Sequence, residues 1–379
     1  MTDDEALAIS VALLERWRGR DGRTYDPYDG LETRWVSSPR RLGRVARLAL
    51  VQVHKRSPVN LRPLFRIAPS RNAYGEGLFA SARLTLWQLL GEPVHRRIAE
   101  EGLAWLESAR VGEGWGYPFD VQTKTFFYPK TDPNIVSTAF AANAFLDAAE
   151  ATGDERWLDG AVRAARMICR DFWVERGGRF WFAYLPGEPK LIHNANLLGA
   201  RLCTRSASLS GDGSLADAAS AAVETTLRYQ RDDGSFLYGE DPDVRWVDGH
   251  HTGFVVECLH DVRATFPSVV APLTRAARYY AEHLFGPAGE PLPAPGRPFP
   301  LDAIAGAQGI QTFAKLGDLA LAERIAAWMR GMRMRNGSFS YQRGRLHRKR
   351  VPYARWSDAP MALALTALVA QRRSVGAAA

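Results

Sequence analysis

Five acidic residues, Glu76, Asp132, Asp248, Asp302 and Asp358, each stand at the start of an apolar stretch. Carboxyls in such a series suit cleavage of a glycosidic bond, where one protonates the leaving oxygen and another activates water or attacks the anomeric carbon. Asp132 and Asp248 are the pair expected to do this. The densest polar clusters are Ile192-His193-Asn194-Ala195-Asn196 and Trp246-Val247-Asp248-Gly249-His250-His251-Thr252. Their histidines make His193 and His250 further catalytic candidates. With Asn194, Asn196, Tyr353 and Arg355 they also suit a second chemistry, in which a base removes the proton beside a carboxylate while cations or amides stabilise the enolate. Each aspartate has a plainer role available, since Asp at a helix start is a preferred cap worth about 1 kcal/mol. Glu76, near a helix start, could likewise answer only to the dipole.

The remaining candidates are groups that would hold a sugar. Trp115, Tyr117, Trp246, Tyr353 and Trp356 offer aromatic faces, while Asn134, Asn194, Asn196, His251, Gln308 and Arg355 offer hydrogen bonds, with Glu76, Asp302 and Asp358 beside them. Aromatics follow glycine in several similar segments: Gly112 to Asp120, Gly178 to Tyr184, Asp233 to Tyr238 and Asn336 to Tyr341. These read as short hairpins or rim loops, and their rings could serve sugar binding or packing equally. No metal is expected, because no HExxH or comparable ligand spacing occurs. No cofactor is expected either: the glycines of residues 112–116 miss the dinucleotide fingerprint and lack a βαβ setting.

These residues need helices to position them. Asn72, Asp132, His193, Asp248, Asp302 and Asp358 recur at steps of 54 to 61 residues, each ahead of an apolar stretch. Residues 131–170 define the unit. Thr131-Asp132-Pro133 offers a cap followed by proline at the first helical position, and Ile135 to Ala149 is apolar or small on nearly every side, as in a helix surrounded by others. After Thr152-Gly153-Asp154 an amphipathic helix follows, with Leu158, Val162, Ala165 and Cys169 on one face and Arg163, Arg166 and Arg170 on another. The period fits a helical-hairpin repeat.

Outer helices are expected over Pro93 to Arg110, Asp154 to Phe172, Ser214 to Gln230, Val269 to Phe285 and Leu319 to Met334. The sixth inner helix, Ser357 to Gln371, lacks an outer partner after it, which the N-terminal helices Asp4 to Trp17 and Pro39 to Lys55 could supply. The expectation is all-α: one (α/α)6 toroid over residues 1–379, in which residues 1–59 are N-terminal helices and a tether that complete the outer ring. Tyr25 to Leu31 reads as an extended segment lying on the ring, whose aromatics could reach the site but which more simply serves as a tether.

The chain has 379 residues, 46% hydrophobic, enough for a large core. It begins without a basic and apolar leader, and no apolar run approaches the ~20 residues needed to span a bilayer, so a cytoplasmic location is expected. Cys169, Cys203 and Cys258 are odd in number and set in helical patterns, which favours buried thiols over disulfides or zinc. A net charge of +8 favours acidic partners. The dense basic run Arg343 to Arg350 reads as a solvated loop or an anion patch. Nucleic acid is not expected, because zinc-finger, RNP-type and long basic-helix signatures are lacking.

On this repeat plan the chain resembles the six-hairpin, (α/α)6-toroid proteins of carbohydrate metabolism over roughly residues 60 to 372. It is similar to unsaturated glucuronyl hydrolases and the N-acylglucosamine 2-epimerase group, and Tyr353-Ala354-Arg355-Trp356-Ser357-Asp358 resembles the last inner-helix entry of glucuronyl C5-epimerases. The resemblance implies a toroid and a saccharide substrate, most simply an acidic, uronate-containing one. It leaves three functions open: a glycoside hydrolase, a uronate epimerase or lyase, and a glycan-binding toroid without catalysis. Terpenoid cyclases share the plan, but the Asp-x-Asp-Asp acid motif of a protonating cyclase is absent.

Overall fold

The computed structural model describes residues 1–130 and 132–378. Thirteen α-helices lie among the described residues, in an order that alternates apolar and amphipathic sequence. Six are inner: α3 (Ala73–Leu90), α5 (Ile135–Thr152), α7 (His193–Ser210), α9 (Gly249–Val262), α11 (Ala303–Leu316) and α13 (Ala359–Ala378). Each packs on the next, and α13 packs back on α3, so the inner ring closes. Outside them lie α4 (Pro93–Ser108), α6 (Glu155–Asp171), α8 (Gly213–Leu227), α10 (Val270–His283) and α12 (Leu319–Met329), each against the inner helix before it. The sixth outer position is filled from the N-terminus, where α1 (Asp3–Arg18) packs on α13. This is the (α/α)6 toroid.

The sequence explains the two layers. In α5, Ala139, Ala141, Ala142, Ala144 and Phe145 are buried around the whole circumference, whereas α6 buries Trp157, Ala161, Ala165 and Ile168 and turns its arginines outward. Burial of a large side chain such as Phe145 contributes roughly 1.5–3 kcal/mol. Gly153 ends α5 in the left-handed conformation at φ 70°, satisfying a carbonyl that the helix leaves open and turning the chain outward.

Three helix starts differ from the sequence expectation by more than one residue, and α12 and α13 end at Met329 and Ala378 in place of the expected Met334 and Gln371. The helix expected to begin at Thr131-Asp132-Pro133 starts at Ile135, with Asn134 as its cap accepting from Ser137 N; Thr131 lies outside the described residues. The expected helix from Pro39 starts at Arg44: α2 is Arg44–Arg56, preceded by a single 3-10 turn at Pro39–Arg41. It also stays outside the outer ring, lying on the Asp29–Glu32 turn and on β1 (Val121–Gln122) instead. Before α13, Ala354–Asp358 forms a π turn.

Short antiparallel pairs sit at the N-terminal end of the inner helices. They are β1 with β2 (Phe127–Tyr128), β3 (Trp173–Arg176) with β4 (Arg179–Phe182), and β5 (Leu301–Asp302) with β6 (Gln342–Arg343). The Gly-aromatic segments therefore become rim elements, and their rings divide by polarity. Trp115, Phe182, Phe236 and Phe339 are packed into the core, while Tyr117, Tyr128, Tyr184, Tyr238 and Tyr341 turn toward the centre of the ring. A hydroxyl needs a polar partner that an apolar core does not supply.

Candidate active site

A cavity of about 350 Å³ opens at the rim, over the first turns of the inner helices. Every inner element contributes: Tyr74 from α3, Val136 from α5, Asn194 from α7, His250 and His251 from α9, Ile304 from α11, and Arg355 and Trp356 from the π turn. The rim tyrosines wall it, with Tyr117 Oη 3.3 Å from Tyr184 Oη and the rings of Tyr128 and Tyr184 5.2 Å apart. Burial pushes Tyr74, Tyr128 and Tyr184 above the usual tyrosine range, so they act as neutral hydroxyls.

Asp248 is the N-cap of α9 and accepts from His251 N at 3.0 Å. Its Oδ2 also faces His251 Nδ1 at 2.7 Å and Trp246 Nε1 at 2.9 Å. An ionised carboxylate only accepts, which places a His251 proton on Nδ1, so that in the neutral ring Nε2 carries the lone pair. Burial opposes ionisation of Asp248, but the neighbouring histidines and the donated hydrogen bonds outweigh it and hold the carboxyl well below the usual range. His250, 3.8 Å from His251 between ring centroids, is pushed down to about 3 by burial and by that neighbour. It is uncharged at neutral pH. The ligand atoms of Asp248, His250 and His251 lie within 4.8 Å of one another, a set that could hold a divalent cation.

Asp302 is the opposite case. It begins α11 without capping it: Oδ2 accepts from Gln342 Nε2 at 3.1 Å, and Oδ1 is buried with no hydrogen bond among the described residues. Burial raises this carboxyl to about 7, against the Gln342 hydrogen bond and the charge of Lys55. Asp302 and Lys55 both line the cavity, as does Asn194, whose Oδ1 is also buried and unpartnered among the described residues.

The structure gathers Tyr117, Asn194, Trp246, His250, His251, Asp302, Arg355 and Trp356 on this cavity, with Asp248 directly behind. It separates others. Asp132 is exposed and outside the cavity lining, so it does not face Asp248 across it. His193, the first residue of α7, is fully buried away from the cavity, its Nε2 3.0 Å from Glu240 and its Nδ1 3.3 Å from Thr226. Glu76 pairs with Arg71 in a separate cavity of about 210 Å³ between α1, α3 and α4. Asn196 braces Phe182 N and Ala222 O, Trp115 donates to Leu106 O, and Asn134 caps α5. Gln308 donates to Glu257 at 2.6 Å in the core. Asp358 accepts from Trp17 Nε1 and Phe339 N, and burial raises it to about 6. Tyr353 accepts from Arg62 just outside the lining.

Several lining residues escaped the sequence reading. Tyr28 reaches the cavity from the segment read as a tether, and its neighbour Asp26 clamps Arg355 with bonds of 2.7 and 2.8 Å. Lys55 arrives from α2, where its Nζ contacts Tyr28 Oη. Tyr184, Tyr238 and Tyr341 could have been found as the last aromatic of their Gly-aromatic segments. A third cavity, about 530 Å³, opens at the other end of the ring around Arg201, Arg205, Lys315, Asp147 and Asp261. Its charges are closed into ion pairs with one another and with Glu150 and Glu257, which leaves the tyrosine-walled cavity as the place with open chemical groups.

No family model matches the chain, and neither does any curated protein. Solved structures do. An unsaturated glucuronyl hydrolase specific for heparin superposes with a TM-score of 0.68 at 13% identity, covering 99% of this chain and 98% of that one. The unsaturated glucuronyl hydrolase of Bacillus sp. GL1, responsible for degradation of glycosaminoglycan, gives 0.66 at 14%, with 99% and 98% covered. Cellobiose 2-epimerase of Bacillus thermoamylovorans gives 0.63 at 10%, with 80% and 88% covered. At these identities the likeness establishes the (α/α)6-toroid fold. Among the described residues no helix is long and apolar enough to cross a membrane.

Proposed function

We propose that the rim cavity is the active site of a carbohydrate-active enzyme working on a uronate-containing saccharide by proton abstraction and donation. The observation that carries this is the pairing of environments: Asp302 is held protonated near neutrality, with one oxygen unpartnered, while Asp248 is held ionised behind His251. Two titratable groups driven apart in this way mark an acid and a base. His251 Nε2 takes the proton from the carbon beside the sugar carboxylate. Lys55 and Asn194 stabilise the enolate that forms. Asp302 then gives its proton either to the departing glycosidic oxygen, which is β-elimination, or to the opposite face of the same carbon, which inverts it.

The names of the structural neighbours favour a second reading, hydrolysis. The acid would still be Asp302, but water would be activated by the Asp248–His251 pair. Asp132 has no part in either reaction, and two-carboxylate catalysis gives way to a carboxyl and a histidine.

The test is incubation with uronate-containing oligosaccharides in D₂O, followed by NMR, with Asp302→Asn alongside. Deuterium at C5 or an unsaturated sugar, lost in the variant, supports abstraction. New reducing ends without either support hydrolysis, and an unchanged panel removes both readings.

A further inference from the structure

The basic residues are not spread evenly. Residues 33–70 hold nine Lys and Arg and no acidic residue, and residues 330–350 hold eight and none. The rest of the chain has 32 basic residues (49 less 17) against 41 acidic, so its net charge is negative. The two basic segments are far apart in sequence but joined in space. Lys349 Nζ donates to Lys55 O and Ser57 O, and Arg350 N donates to Pro58 O. Gln52 and Lys55 of the first segment and Gln342 of the second line the rim cavity, so the joined basic segments reach one side of its mouth.

On this face large apolar side chains stand in solvent. The outward stripe of α2 is Val45, Ala49 and Val53, at helical spacing, while Val51 and His54 face inward. Trp35, 59% exposed, stacks on Phe65, which meets His54 of α2 edge-on. Leu346 is 93% exposed at the tip of a hairpin closed by the Arg343 and Arg348 bridge. Arg41, Arg44, Arg56, Arg343, Arg345 and Arg350 are exposed around these side chains and form no ion pair among the described residues. A polyanion alone would call for cations without protruding apolar tips. Cations ringing apolar tips are what an interface of headgroups over acyl chains requires, since each part then meets its complement.

We propose that the face around the cavity mouth docks on an anionic phospholipid surface, with α2 and the Leu346 hairpin inserted into the headgroup layer and the cavity opening toward the bilayer. The proposal stands apart from the reaction: it assigns where the cavity mouth faces, whichever chemistry it performs.

The full chain is sedimented with vesicles of phosphatidylcholine alone and of equal parts phosphatidylcholine and phosphatidylglycerol, at low and high salt. Binding to the anionic vesicles only is expected. It should fall about tenfold in the neutral variant Val45→Ser/Val53→Ser/Leu346→Ser, and again in Arg345→Gln/Arg350→Gln. All three apolar positions are exposed, so circular dichroism should show unchanged melting. No partition to anionic vesicles at low salt overturns the proposal. So does binding that the apolar variant leaves unchanged, or tighter binding to soluble polygalacturonate that this variant retains, because the face would then be a polyanion groove.

Discussion

His251 Nδ1 lies 2.7 Å from Asp248 Oδ2, and the same carboxylate caps the helix on which His251 sits. One side chain thus sets both where α9 begins and which nitrogen of the imidazole points into the cavity. Asp248→Asn separates the roles. Asparagine caps as well as aspartate, so melting should move little, whereas loss of the acceptor frees the tautomer and should lower kcat about 10²–10⁴-fold. Activity and melting falling together would make Asp248 a cap only.

Asp302 predicts a pH profile. Its carboxyl is raised to about 7 and must carry a proton to act, so activity should decline as pH rises through about 7. Asp302→Asn should remove that limb together with most of the activity. The same shift acts on stability. A carboxyl whose folded value exceeds its unfolded one favours the fold at low pH, and that contribution is lost as pH climbs from the ordinary carboxylate value through about 7. Wild-type melting should fall relative to the Asn variant across that window. Parallel curves would show that Asp302 is ionised throughout.

Lys55 reaches the cavity beside Asp302 and His250, whose acidities feel its charge. Replacing it with methionine keeps an unbranched side chain beside Tyr28 and removes the cation that sits over that ring. For a uronate substrate, steady-state kinetics should show kcat/KM reduced about tenfold or more, consistent with one hydrogen bond to a charged group. A neutral analogue should be unaffected, and equal losses on both would remove the carboxylate-binding role.

Asp358 belongs to folding. Asp358→Ala strands the buried Trp17 Nε1 and the Phe339 amide, which tie α1 and the rim to α13. Destabilisation of about 2–4 kcal/mol is expected from two unmet donors, read by chemical denaturation, with activity per folded molecule retained. A stable but inactive variant would return Asp358 to the site.

Much of this protein was legible in the sequence. The alternation of all-apolar and amphipathic helices at a near-constant period implies hairpins whose apolar members must surround one another, and the ring follows from burying them. Polar clusters at the starts of those helices therefore converge, which is why Asn194, Trp246, His250, His251, Asp302 and Arg355 were found together. Tertiary structure alone decided which carboxyls face one another. Asp132, Asp302 and Asp358 stand at equivalent places in the repeat, yet one is exposed, one lines the cavity with a single oxygen hydrogen-bonded and one is locked into the core. Position along a helix does not specify solvation, and solvation sets the acidity. Likewise Tyr28, Lys55 and the basic face are assembled from segments nearly 300 residues apart. No local pattern encodes that meeting, because only closure of the ring brings the two ends of the chain to one rim.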